Sequence, residues 1–230
     1  MSQVKEKVLD EGVLCAPRSR LLVPAMSGSH LGSLLALARL QAPHFPVSIL
    51  RHQESFSARD KQNFLPDGIY VQKSLTLVLG EHLLLLSGLG DFRLERAAHI
   101  RTLARLFLLR AQEARRHEIN PPSLSSQFAT GLAPGMVSPF FPPESIGRLP
   151  LSAVVIFPFP QDLPRSAQVA ISLSLSTSLL YPVASLSALI AAYGLRYYPH
   201  IPLLSFPGDG QGRTKEGAPL VEPQLALQSL

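Results

Sequence analysis

Apolar and polar residues alternate along Ile69-Tyr-Val-Gln-Lys-Ser-Leu-Thr-Leu-Val-Leu79, Gly80-Glu81 follows, and His82-Leu-Leu-Leu-Leu-Ser87 resumes the run. A period of two interrupted by a glycine-bearing turn predicts a β-hairpin. That period puts Val71, Lys73, Leu75, Leu77 and Leu79 on one face of the first strand. Lys73 therefore shares a face with leucines. It stands either at the rim, its stem on apolar surface and its head in water, or on the wall of a pocket.

The remaining pattern predicts further elements around the hairpin. Ser29 is an N-cap candidate for a helix through Leu40, with Leu31, Leu34, Leu35 and Ala38 on one face and Pro43 and Pro46 beyond its end. Val47 to Leu50 reads as a short strand and Arg51 to Asn63 as a polar run. Asp91 heads a helix from Phe92 to Ala104, Arg105 to Arg110 reads as a strand, and Gln112 to Glu118 as a charged helical turn. A Pro- and Ser-rich passage begins at Pro121. Strands are then predicted over Leu151–Phe157 and Val169–Leu175, and a last helix over Ala184–Tyr193, stopped by Gly194. Residues 1–29 read as an N-terminal extension, 30–206 as one domain and 207–230 as a disordered tail. Strands and helices mix without regular βαβ alternation. The expected class is α+β, a mixed, barrel-like sheet core with surrounding helices.

Composition narrows the setting. The chain has 230 residues, enough for one substantial core, and only 16% are charged. The 21 prolines cluster in connecting segments and predict long irregular loops. A single cysteine, Cys15, forms no internal disulfide and fits a reducing compartment. The N-terminus carries early acidic residues and no apolar signal run, so a cytoplasmic location is expected. Residues 166–195 carry no formal charge, but serine alternates with apolar residues there and Pro182 interrupts them. That reads as buried strand and helix, with no membrane partner expected. The net charge of +5 suits a phosphate-rich partner.

Generic chemical motifs are sparse. The seven histidines (His30, His44, His52, His82, His99, His117 and His200) follow no ligand spacing and Cys-x-x-Cys is absent, so neither a metal nor another cofactor is expected. Gly28-Ser-His-Leu-Gly32 puts its serine one position too early for a nucleophile elbow. Gly208 to Thr214 has no lysine where a phosphate loop needs one.

Two segments carry a more specific signal. Val71-Gln-Lys-Ser-Leu-Thr-Leu-Val-Leu79 is similar to the Lys-[Ser/Thr]-Leu strand of the YbaK/ProX aminoacyl-tRNA editing family. Thr130-Gly-Leu-Ala-Pro-Gly-Met-Val-Ser-Pro-Phe140 resembles that family's Thr-Gly-x-x-Pro-Gly-Gly-Val-Ser-Pro-Phe-Gly loop at most positions. Between them, Gly90 to Ala98 stands where the family has an Asp-x-Arg-Leu helix start, and Val47 to His52 looks like its early strand ending in histidine. The chain also departs from the pattern. Met136 and Phe141 replace two loop glycines, and Ser174 to Leu180 lacks the glycine, base and acid of a downstream turn.

The resemblance implies a deacylase that hydrolyses the ester of mischarged tRNA. The aminoacyl ester is already activated, so such a site needs only to position water and stabilise the oxyanion. Carried over, Lys73 is the ester-side catalytic cation, and Gly131, Pro134, Gly135 and Ser138 form the substrate-binding loop. The alternative expectation is a catalytically silent relative that binds tRNA or another partner.

Overall fold

The computed structural model describes residues 28–79, 82–90, 92, 96–107, 137–140, 151–160, 162–208, 214 and 220. The long strand at the centre is β2 (Ile69–Leu79), which pairs antiparallel with β3 (His82–Leu89) from Gln72↔Leu89 to Leu79↔His82. The alternation predicted this hairpin. Its connecting residues, Gly80 and Glu81, lie outside the described set. Before them in the chain come α1 (Gly28–Gln41), β1 (Ser48–Arg51) and α2 (Ala58–Gln62). After them come α3 (Arg96–Leu106), β4 (Leu151–Ile156), β5 (Gln168–Ser172), β6 (Thr177–Pro182), α4 (Leu186–Tyr197) and β7 (Leu203–Ser205).

Among the described residues the strands form one seven-stranded mixed sheet in the order β1-β6-β5-β2-β3-β4-β7. The fold is α+β, as the mixed pattern predicted. Leu83 to Leu86 are all buried because both faces of β3 are covered, which turns an alternating strand into a continuous apolar run. Leu83, Leu85 and Leu89 join a core with Leu34 and Ala38 of α1 and Leu189, Ile190 and Tyr193 of α4. Leu84 and Leu86 join a second core with Leu77, Leu79, Ile100 and Leu103. A third, smaller cluster of Leu50, Leu65, Val71 and Ala170 packs with Ala58 of α2. Register puts this third cluster on the same sheet face as the second, since Val71 opposes Ala170 and alternates with Leu77 and Leu79. Helices α1 and α4 thus cover one face, and α2 and α3 the other.

Several sequence expectations need correction. Arg105 and Leu106 continue α3, so the strand expected from Arg105 does not begin there. Their helix packs Leu103 and Ala104 into the second core, and that tertiary contact outweighs local strand propensity. The strand expected to reach Leu175 ends at Ser172 and is followed by β6, because Leu173 N and Ser174 N both turn back to Thr177 O. Gly194 does not stop the last helix. It lies inside α4, where a Cβ would come 3.3 Å from the Tyr198 ring, and the helix runs on to Tyr197. Phe92, expected to open the third helix, is not helical; α3 is described over Arg96–Leu106, and the cap expected at Asp91 lies outside the described residues, as does the turn expected over Gln112–Glu118.

Most of the expected extension (1–27) lies outside the described residues. Of the expected tail beyond Pro207, three described residues are placed against the domain. Gly208 bridges Thr214, Thr214 Oγ1 is 2.6 Å from His99 Nε2, and Leu220 packs on the second core.

Candidate functional site

Lys73 is half-buried on β2, on the face that carries α2 and α3. Its Nζ donates to Phe92 O at 3.2 Å and sits 4.9 Å from the Phe92 ring centroid. Directly across the ladder stands Gly88. A Cβ there would come 2.6 Å from Phe92 Cδ1 and 3.0 Å from Phe157 Cβ, so only glycine lets the stacked Phe92–Phe157 pair lie over the strand. The pairing of β2 with β5 ends at Val71↔Ala170. The next same-face positions along the two parallel strands are Lys73 and Ser172, so Lys73 stands where the sheet opens.

Ser138 belongs to the other side of the sheet. It is fully buried and its Oγ accepts from Phe140 N at 3.3 Å. The Phe140 ring meets Tyr193 edge-on at 5.4 Å in the first core, and Tyr198 OH donates to Pro139 O. These contacts fix the Val137–Phe140 segment. Gly131, Pro134, Gly135 and Met136 lie outside the described residues.

A polar cluster that sequence reasoning missed lies on the Lys73 face. The polar run after β1 contains one helical turn, α2, started by Ser57: its Oγ accepts from Asp60 N at 3.0 Å and donates to the Asp60 carboxylate at 2.7 Å. That turn carries Lys61, only 2% exposed, whose Nζ donates to Ser172 Oγ at 2.5 Å and Ser178 Oγ at 3.2 Å. Its partners are hydroxyls and no carboxylate is among them. Burial therefore lowers the Lys61 amine to about 8.

His52 completes the cluster, its Nε2 2.9 Å from Ser178 Oγ and its Nδ1 2.7 Å from Gln53 O. A carbonyl only accepts, so in the neutral ring Nδ1 carries the hydrogen and Nε2 accepts from the Ser178 hydroxyl. Burial holds His52 below its usual range, the Gln53 carbonyl works against that, and the Lys61 charge adds to it. Two backbone bonds lock the segment after β1 to the β5–β6 turn: His52 N to Ser176 O at 2.9 Å and Ser55 N to Leu175 O at 3.0 Å. Available signals were the Ser57-x-x-Asp60 spacing, which announces a helix start, and the serines at 172 and 178 in an otherwise apolar stretch.

A cavity of about 510 Å³ runs along α2, lined by Ala58, Arg59, Gln62, Ile69, Tyr70 and Gly90 among others. Among the described residues no three His, Cys, Asp or Glu side chains converge as metal ligands, and no helix is long and apolar enough to cross a membrane.

No family model matches the chain, and no curated protein matches it. Among solved structures, one scaffold protein from a study of computational epitope grafting is 16% identical, covering 84% of this chain and all of its own, with a TM-score of 0.43. A candidate trans-editing enzyme for prolyl tRNA synthetase is 18% identical, covering 73% of this chain and 94% of its own, with a TM-score of 0.40. At these values neither likeness fixes the family.

Proposed function

We propose that this chain hydrolyses the ester of mischarged aminoacyl-tRNA, with Lys73 as the cation at the ester. The observation that supports this reading is the placement of the Lys73 ammonium. It is held against the Phe92 carbonyl and ring at the point where β2 parts from β5. A cation fixed in a partly dry setting stabilises a developing oxyanion or a phosphate oxygen far better than one in water. The lysine strand and the Thr130–Phe140 loop occur together and in the order the editing family has them. Gly131, Pro134 and Gly135 form the amino-acid side of the site in this reading; Ser138, buried on the opposite face of the sheet from Lys73, anchors the loop's end with Phe140 in the first core and does not itself line the site. The basic charge of +5 favours the polyanionic substrate.

A deacylation time course on a panel of mischarged tRNAs, run with wild type and Lys73→Ala, tests the assignment. Hydrolysis that is lost in the variant supports it, and full retention in the variant contradicts it.

A further inference from the structure

We propose that Ser178 is an acyl-accepting nucleophile with His52 as its general base, a second ester-cleaving centre that does not depend on the tRNA reading. A working serine nucleophile needs a base within hydrogen-bond reach, a group that holds the base in one tautomer, and positive charge near the developing alkoxide. All three are present. His52 Nε2 is 2.9 Å from Ser178 Oγ, the Gln53 carbonyl fixes the ring through Nδ1, and Lys61 Nζ lies 3.2 Å from the same Oγ. Ser172 Oγ, 2.5 Å from Lys61 Nζ, keeps the ammonium aimed between the two strands.

The polar direction of the chain is consistent throughout. Lys61 donates to Ser178, Ser178 donates to His52, and His52 donates to the carbonyl. A network built only to satisfy buried groups has no need of a lysine. Burying an ammonium among hydroxyls carries a desolvation cost that an apolar residue of similar size would avoid.

The substrate class is an activated carboxylic ester. Ser178 Oγ attacks the acyl carbon as its proton passes to His52 Nε2; the new O–C bond forms and the bond to the leaving oxygen breaks. His52 returns the proton to the leaving alkoxide. Water then attacks the acyl-serine, His52 takes its proton, and Ser178 regains a hydrogen as the acid leaves. The sum is ester plus water giving acid plus alcohol.

Ser178 is fully enclosed, so substrate reaches it through a local opening beside α2 that leaves Lys61 in place. That element is a single turn flanked by the exposed rings of Phe56 and Phe64.

The test uses the full chain with phenylmethylsulfonyl fluoride and p-nitrophenyl acetate, read by intact mass and peptide mapping. One adduct is expected, on the peptide containing Ser178, absent in Ser178→Ala. Its rate should rise with pH as His52 loses its proton, turn over above about 8 as Lys61 loses its charge, and fall by about a hundredfold or more in His52→Gln. No adduct on that peptide in folded wild type between about pH 6 and about pH 9 overturns the proposal. So does a labelling rate unchanged in His52→Gln. Because wild type alone gives the site of modification, a variant that fails to fold does not rescue the idea. Failure of tRNA deacylation leaves this result untouched.

Discussion

Gly88 stands directly opposite Lys73 in the β2–β3 ladder, and its missing side chain makes room for Phe92, the residue that holds the Lys73 ammonium. The lysine's position thus depends on a neighbour with no side chain at all. Gly88→Ala is expected to push Phe92 off Phe157 and cost about 1–3 kcal/mol by overpacking. Deacylation should fall with it as Lys73 loses its anchor. Urea melts and single-turnover rates on the same preparation check both effects.

The buried amine of Lys61 gives stability a distinct pH signature. Its folded value is about 8 against an ordinary 10.5, so between those limits the unfolded chain binds the extra proton. Stability contributed by this group therefore rises as pH climbs from about 8 towards 10.5. Lys61→Met abolishes that rise. Denaturation midpoints of the two proteins measured across this window should draw apart in favour of wild type as pH increases. Tyr181 and Tyr198 are pushed up by burial, and their loss above the ordinary tyrosine range is common to both proteins.

Tyr198 ties the end of the motif loop to α4's C-terminus by donating to Pro139 O. Tyr198→Phe leaves that carbonyl without its donor in a buried setting and is expected to cost about 1–3 kcal/mol. If the loop forms the amino-acid side of the site, the variant also raises KM with little change in kcat. Thermal melting combined with steady-state kinetics separates the two effects.

What could be read in the sequence follows from which forces are local. The β2–β3 hairpin was legible because alternation over Ile69–Leu79 is a backbone-period signal, and the shared face of Lys73 with Leu75, Leu77 and Leu79 came with it. β6 was not legible, because Thr177–Pro182 sits in a stretch where serines face a buried lysine that arrives from Lys61, far away in sequence. Lys61 itself lay within the polar run Arg51–Asn63, and only tertiary packing of α2 turns it inward. Gly194 inside α4 reversed a local rule for a similar reason, the close approach of the Tyr198 ring. Of the expected site, Lys73 and Ser138 could be located on opposite sheet faces, a relation no one-dimensional motif encodes.

The measurement that bears most directly on the account is single-turnover hydrolysis of a panel of mischarged aminoacyl-tRNAs by wild type and Lys73→Ala. At least one ester should be cleaved, and Lys73→Ala should slow its cleavage by about a hundredfold or more. Hydrolysis of none of the esters, or an undiminished rate in Lys73→Ala, would contradict the deacylase reading.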